Sequence, residues 1–225
     1  MTLLLRLLAR NAMRHRLRAF LTIAGVTVAV LSFGILRTVA DAWYAGVEAS
    51  SANRLLTRNA ISLVYTLPVS YVEKIRQVRG VEAVSHGTFF GGIYIDEKNF
   101  FPNFAFEPKT YLDLAPELVL SPADREAFIK ERKGAMVGRK TAERFGWKRG
   151  DTVTLRGTIY PGDWDFVVKG IYKGRDETVD ETFFVFHWDY LNETLRKTDP
   201  ARADQAGFFF IRVKEPGLAA EVSLA

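Results

Sequence analysis

The chain has 225 residues, 48% of them apolar and 13% aromatic, and contains no cysteine. That is material for one sizeable core with room to divide into two lobes, and it excludes a largely disordered chain, a disulfide framework and a thiol nucleophile. A net charge of +5 and a pI near 9.4 raise nucleic acid as a partner until the charge is located. Arg6, Arg10, Arg14, Arg16 and Arg18 all stand within the first 18 residues, which hold no acid, and the 31 basic side chains less these five are balanced by the 26 acidic ones. The excess is local, so the balance of charge gives no argument for nucleic acid.

In residues 1–18, Arg6, Arg10 and Arg14 recur every fourth position, while Leu4, Leu5, Leu8 and Ala12 gather on the other side of a helix. Such a segment either lies along a membrane with its arginines among anionic lipid headgroups or serves only as a topology signal. No charge follows from Ala19 to Leu36. Residues 19–40 as a helix reach about 33 Å, enough for a hydrocarbon core of about 30 Å, and Arg37 near the far end can snorkel to the headgroups. A cleaved signal is the competing reading, with Ala40-Asp41-Ala42 as a weak cleavage pattern. The long basic leader and the length of the apolar run favour an uncleaved transmembrane helix. Five arginines before the span place the N-terminus in the cytoplasm and everything after about residue 41 outside. Gly25, Ala29 and Ser32 form a stripe of small residues along which another helix could pack.

The expected order beyond the span is a helical stalk over 41–60, an extracytoplasmic domain over 61–215, and over 216–225 a helix cut off as it starts. Within the domain, Ile61–Thr66 reads as a strand. Ser70 with Glu73 reads as a capping box on a short helix that Gly80 ends, and Val81–Val84 and Thr88–Ile95 read as strands broken at Gly87. Ser121, Pro122 and Asp124 open a second helix, Arg139 to Phe145 a third, and Trp188–Arg196 a fourth. Strands are expected at Ala135–Val137, Val153–Leu155, Phe166–Tyr172, Thr182–Phe186 and Phe208–Val213. The interspersed order without regular βαβα alternation describes an α+β domain.

Chemistry is sparse in the pattern. The histidines are His15, His86 and His187, with no pair at metal-ligand spacing, and no phosphate-binding glycine loop or G-x-S-x-G occurs. No catalytic, cofactor or metal residues are assigned, and the expectation is a non-enzyme. Asp176, Glu177, Asp180 and Glu181 read as a solvated acidic loop without EF-hand spacing. Phe89, Phe90, Tyr94, Phe100, Phe101, Phe104 and Phe106 crowd one stretch, either as strand and loop filling the core or as an exposed face. On the second reading Phe100, Phe101 and Phe104 meet a hydrophobic substrate or a partner subunit.

The leader resembles the opening of MacB/FtsX-like ABC transporter permeases through Asn11, Arg14, Arg18, Thr22, Gly25 and Val26. Val72–Ser85 is similar to the helix, Gly-Val and strand that open that family's extracytoplasmic core domain. Gly134–Leu155 followed by Phe166–Lys173 resembles a later segment through Gly138, Ala142, Gly146, Gly150, Asp151, Val153, Val168, Gly170 and Ile171. These glycines read as turn residues. Three further spans and a coupling loop characterise the family, and nothing after Arg37 is apolar for 18 residues; the expectation is therefore the N-terminal part of a permease.

The resemblance implies a non-catalytic subunit in a bacterial inner membrane with its main domain periplasmic. It also implies a separate ABC ATPase subunit that binds the ATP, and a second permease subunit in a homo- or heterodimer. Hydrolysis would then drive motion of the outer domain for export, lipoprotein release or envelope remodelling. The alternative readings are a single-span anchored sensor, scaffold or binding domain, and a secreted soluble protein cleaved near Ala42.

Overall fold

The computed structural model describes residues 16–49, 53–61 and 65–224. The chain divides into two units, Met1–Ser50 and Ser51–Ala225. In the first, helix α1 runs from Arg16 to Ala49 without interruption. Its stretch Arg16–Thr38 is long and apolar enough to cross a membrane, with a mean hydropathy of 2.3 over its most apolar 18 residues. The hydroxyls of Thr22 and Thr38 donate to Arg18 O and Gly34 O, each at 2.9 Å. These two hydroxyls are thereby satisfied inside the helix. Arg6, Arg10 and Arg14 lie outside the described residues.

The second unit is built on a ten-stranded mixed sheet. Its strands are β1 (Arg54–Arg58), β3 (Val81–Phe89), β4 (Gly92–Ile93), β5 (Asn103–Phe106), β6 (Leu118–Val119), β7 (Gly134–Gly138), β8 (Thr152–Gly157), β9 (Gly162–Gly174), β10 (Phe184–His187) and β12 (Phe208–Val213). Their order across the sheet is β1-β12-β3-β5-β10-β7-β9-β8-β4, with β6 pairing onto β9 off this path. Among the described residues only β5–β10 and β7–β9 are parallel pairs. A separate two-stranded ribbon joins β2 (Leu67–Pro68) to β11 (Gln205–Ala206).

The central strands are covered on both faces, and their sequences show it: β7 is GAMVG and β10 is FVFH, both buried throughout. On one face Ala135, Val137, Phe166, Phe184 and Phe186 pack with Ala142 of α5 (Arg139–Phe145) and Leu191 and Leu195 of α6 (Trp188–Thr198). On the other, Met136, Tyr172 and Val185 pack with Tyr111 and Leu112 of α3 (Pro108–Leu114) and Phe128 of α4 (Pro122–Lys130). A third cluster joins Phe209, Ile211 and Val213 of β12 to Val72 and Ile75 of α2 (Tyr71–Arg76) and Val222 of α7 (Ala219–Ser223).

The α+β class and the single apolar helix before it stand as expected, but several local readings change. The stalk expected over 41–60 is helical only to Ala49. Arg54–Arg58 is instead an edge strand, because Leu55 faces the third cluster when β1 pairs with β12. The compact unit therefore starts before residue 61 and extends past 215, where Leu218 and Val222 pack beside Gly80. Of the strand expected at Ile61–Thr66, residues 62–64 lie outside the described residues, and the flanking positions are not strand.

The capping box at Ser70 does not form. Ser70 already has helical backbone angles and its hydroxyl makes no cap bond, while Glu73 pairs with Arg76 at 2.7 Å. Gly87 does not break a strand either; β3 runs through it, and the missing side chain lets the Phe106 ring lie where a Cβ would stand 2.6 Å from Cδ1. Helix α4 starts as expected, with Ser121 Oγ accepting from Asp124 N at 3.1 Å. Helix α5 keeps its expected bounds and ends on Gly146, at φ +70°.

Candidate functional site

Two features carry the functional expectations: the apolar helix and the aromatic stretch. On α1 the helical spacing puts Gly25, Ala29 and Ser32 on one face, since positions three and four apart are neighbours on a helix. Arg16 and Arg18 are exposed at its start.

The aromatic stretch splits residue by residue. Phe90 is fully buried among Tyr160, Trp164, Phe166 and Phe186. Phe101 is only 3% exposed, with its ring 5.6 Å from Phe145, 5.7 Å from Trp147 and 5.9 Å from Phe184. Phe104 is half-buried against Phe89, Phe106, Phe183 and Phe208. A continuous face of Phe100, Phe101 and Phe104 therefore does not exist. In extended chain, side chains alternate between the two faces of the sheet, and Phe101 falls on the core side. Phe100, at 58% exposed, remains outside.

Phe100 stands on a loop that is fastened from below. Arg144 of α5 donates to Phe100 O and Lys98 O, both at 3.2 Å, and Trp147 Nε1 donates to Tyr94 OH at 3.5 Å. Asn103, fully buried, accepts from Gly92 N at 2.7 Å and donates to Gly92 O and Phe101 O at 2.9 Å. Its side-chain amide thus closes the base of the loop as a strand would. At the tip Ile95, 74% exposed, has φ +63°, an uncommon and strained conformation for a β-branched residue. No residue pattern in the sequence announces a positive φ at an isoleucine, so Ile95 is visible as a surface group only in the structure.

The ionisable side chains inside the domain are engaged in holding it together. His187 Nε2 donates to Phe128 O at 2.5 Å, which fixes the proton on that nitrogen because a carbonyl only accepts. His86 packs edge-on against Trp188 at 4.5 Å, and its Nε2 is buried without a partner. Burial holds both imidazoles below the usual histidine range, with Glu107 and Asp189 opposing the shift. In the acidic loop Asp176 accepts from Thr178 N at 3.1 Å and Asp180 from Thr182 N at 2.8 Å. Glu181 accepts from Gly174 N at 2.8 Å and pairs with Arg139 at 2.6 Å. Among the described residues no group of three His, Asp or Glu is placed to hold a metal ion. A Cβ on Gly138 would collide with the Glu181 carbonyl, so that motif glycine serves a close approach of chains.

Residues 19–224 match the family model of the MacB-like periplasmic core domain. The chain belongs to that family. The likeness to MacB/FtsX-like permeases is thereby shown, with Asn11, Arg14 and Arg18 of the leader lying before the matched residues, and the MacB-like core domain here follows an apolar helix long enough for a span. Among solved structures, the periplasmic region of MacB from Actinobacillus actinomycetemcomitans aligns over 79% of this chain and 83% of its own, with 11% identity and a TM-score of 0.51. The extracellular domain of the ABC-type transporter YknZ from Gram-positive bacteria aligns over 75% and 86%, with 14% identity and a TM-score of 0.49. No curated protein matches the chain by sequence. At such identity the MacB likeness speaks for the shared fold, and the functional residues of this MacB-like domain have to be argued from its own geometry.

Proposed function

We propose that this chain is a permease part of an ABC transporter, without catalysis of its own. In this reading α1 spans the bacterial cytoplasmic membrane with its N-terminus inside, directed by Arg6, Arg10, Arg14, Arg16 and Arg18. The core domain is periplasmic. A separate ATPase subunit binds and hydrolyses ATP, a second permease subunit completes a homo- or heterodimer, and Gly25, Ala29 and Ser32 form the seam where another span packs. Motion passed through α1 moves the outer domain and so acts in export, lipoprotein release or envelope remodelling. Phe100, exposed like Ile95 and held by its fastened loop, is the part of the aromatic stretch offered to a partner.

The observation that supports this most is the extent of the family match, which begins within the apolar helix and runs through the whole outer domain. The test is to purify the tagged full chain from its native membrane in mild detergent and look for a Walker-type ATPase and a second permease chain in stoichiometric amount. ATP turnover by the assembly should fall when the chain is omitted on reconstitution. A chain that purifies alone, with no ATPase turnover depending on it, refutes the permease reading in favour of an anchored sensor or scaffold.

A further inference from the structure

Strand β1 is the first element of the domain after the membrane helix, and β12 is the last strand before the chain turns away toward α7. Their antiparallel register sets Arg54 opposite Arg212, at the end of the ladder where Val213 N donates to Asn53 O at 2.8 Å. Residues 53 and 214 therefore flank the same end of the sheet. Two like charges directly opposite each other destabilise a strand pair when nothing else holds them. Here both side chains reach the C-terminal end of α3.

Arg54 Nη1 donates to Leu114 O at 3.0 Å and pairs with Glu117 Oε1 at 2.6 Å, with the Arg54 side chain only 9% exposed. Its guanidinium lies 5.6 Å from the centre of the Phe210 ring. Arg212 Nη1 donates to Asp113 O at 3.0 Å, and its Nε donates to Glu82 on β3 at 3.1 Å. The last carbonyls of a helix lack intrahelical partners and carry partial negative charge, so the end of α3 is a natural anchor for two cations. Arg125 reinforces it by pairing with the Asp113 carboxylate at 2.6 Å.

The position of this arrangement gives it a mechanical meaning. A force drawing residues 53 and 214 apart does not shear the β1–β12 ladder; it peels the ladder from its open end, loading one rung at a time. Past the Val213 N–Asn53 O bond, the first rung it reaches is Arg54–Arg212. We propose that these two arginines are a staple that ties both strands to α3 and β3, so that the domain resists peeling of its edge strand and moves as a body when the chain is displaced at residue 53. The use of that resistance in coupling rests on the permease reading; the resistance itself does not.

The full chain in lipid nanodiscs provides the test, and its lack of cysteine lets tethers be placed uniquely. One tether pair, Ser51→Cys with Glu215→Cys, loads the stapled end; a second, Glu97→Cys with Lys197→Cys, loads the domain elsewhere. With charge-assisted hydrogen bonds lost in Arg54→Met/Arg212→Met, lifetime under constant force should fall about tenfold or more on the first axis and less than about twofold on the second. An equal fall on both axes means general destabilisation and overturns the staple, as does an unchanged lifetime on the first. Glu117→Gln, which spares both arginines and the helix carbonyls, is read on the same two axes if the double variant does not fold. No ATPase enters the measurement, so its outcome is separate from that of the copurification.

Discussion

Replacing Phe101 and Phe100 by alanine in parallel tests how the aromatic stretch divides between core and surface. Phe101 is 3% exposed and its ring meets Phe145, Trp147 and Phe184, residues from α5, the turn after it and β10. Truncation there removes a buried aromatic and leaves a cavity among rings held by other contacts, so Phe101→Ala should cost about 3–5 kcal/mol. For a domain of this size each kcal/mol moves the midpoint by about 2–4 °C, which gives a fall of about 6–20 °C. Phe100→Ala leaves the Arg144 bonds to the backbone carbonyls in place and should stay within about 0.5 kcal/mol of the parent. Urea and thermal unfolding of the full chain in detergent, followed by tryptophan fluorescence, reads both variants, since Trp147 lies against Phe101. Equal losses for the two variants would refute the division; so would a Phe101→Ala chain as stable as the parent.

Burial keeps His86 and His187 below the usual histidine range, so the unfolded chain takes up protons that the folded one refuses. Their contribution to stability is therefore complete above the unfolded value near 6.5 and is lost as pH falls below it, by at most about 1.4 kcal/mol per pH unit for each imidazole. Denaturation midpoints between pH 7 and pH 5 should show that slope, and His86→Phe should reduce it; a steeper loss in the variant would count against the assignment. Ser121→Ala removes the acceptor for Asp124 N at the start of α4 and should cost about 1 kcal/mol, while Ser70→Ala, at a helix start without a cap bond, should cost much less. Gly146→Ala forces a side chain into the left-handed region at the end of α5 and should cost about 1–2 kcal/mol by chemical denaturation.

The features legible in the sequence are those whose determinants are contiguous. The apolar helix is one, because an unbroken uncharged run from Ala19 to Leu36 declares itself without any partner elsewhere in the chain. Helix α4 is another, where Ser121, Pro122 and Asp124 each do a separate job within four residues, and α5 is bounded by Gly138 and Gly146. Strand β12 runs Phe208–Val213 as its own alternation and aromatic content require. Ser70 and Glu73 satisfy the capping pattern equally well, yet Ser70 is drawn into helical geometry while Val72 and Ile75 pack into the third cluster. Gly87 looks like a break until Phe106 and Phe208, far along the chain, are laid over it. Strand β1 is the hardest case. Arg-Leu-Leu-Thr-Arg has too few apolar residues to declare a period, and its partner β12 is nearly the whole domain away in sequence.

That same distance hides the pairing of the two arginines at the open end of the sheet, although both are plain in the sequence. An arginine in a strand predicts solvent; only the antiparallel register that joins the beginning of the domain to its end brings a second arginine opposite and a helix terminus beneath both. The buried polar side chains follow the same logic. Ser85 accepts from Thr110, Thr88 from Gly207 N, Thr141 donates to Thr182 O, Asp124 pairs with Arg149, and Asn192 with Asp204. Each of these bonds joins segments at least twelve residues apart: the first two fasten α3 and the Gly207 loop to β3, and the other three fasten helices to loops. A polar interior committed in this way stiffens the domain, because a buried donor or acceptor that lost its partner would carry the full cost of desolvation. In the permease reading proposed above, that stiffness is what carries a displacement at residue 53 across the sheet to Ile95 and Phe100, held out on a loop fastened by Arg144 and Asn103.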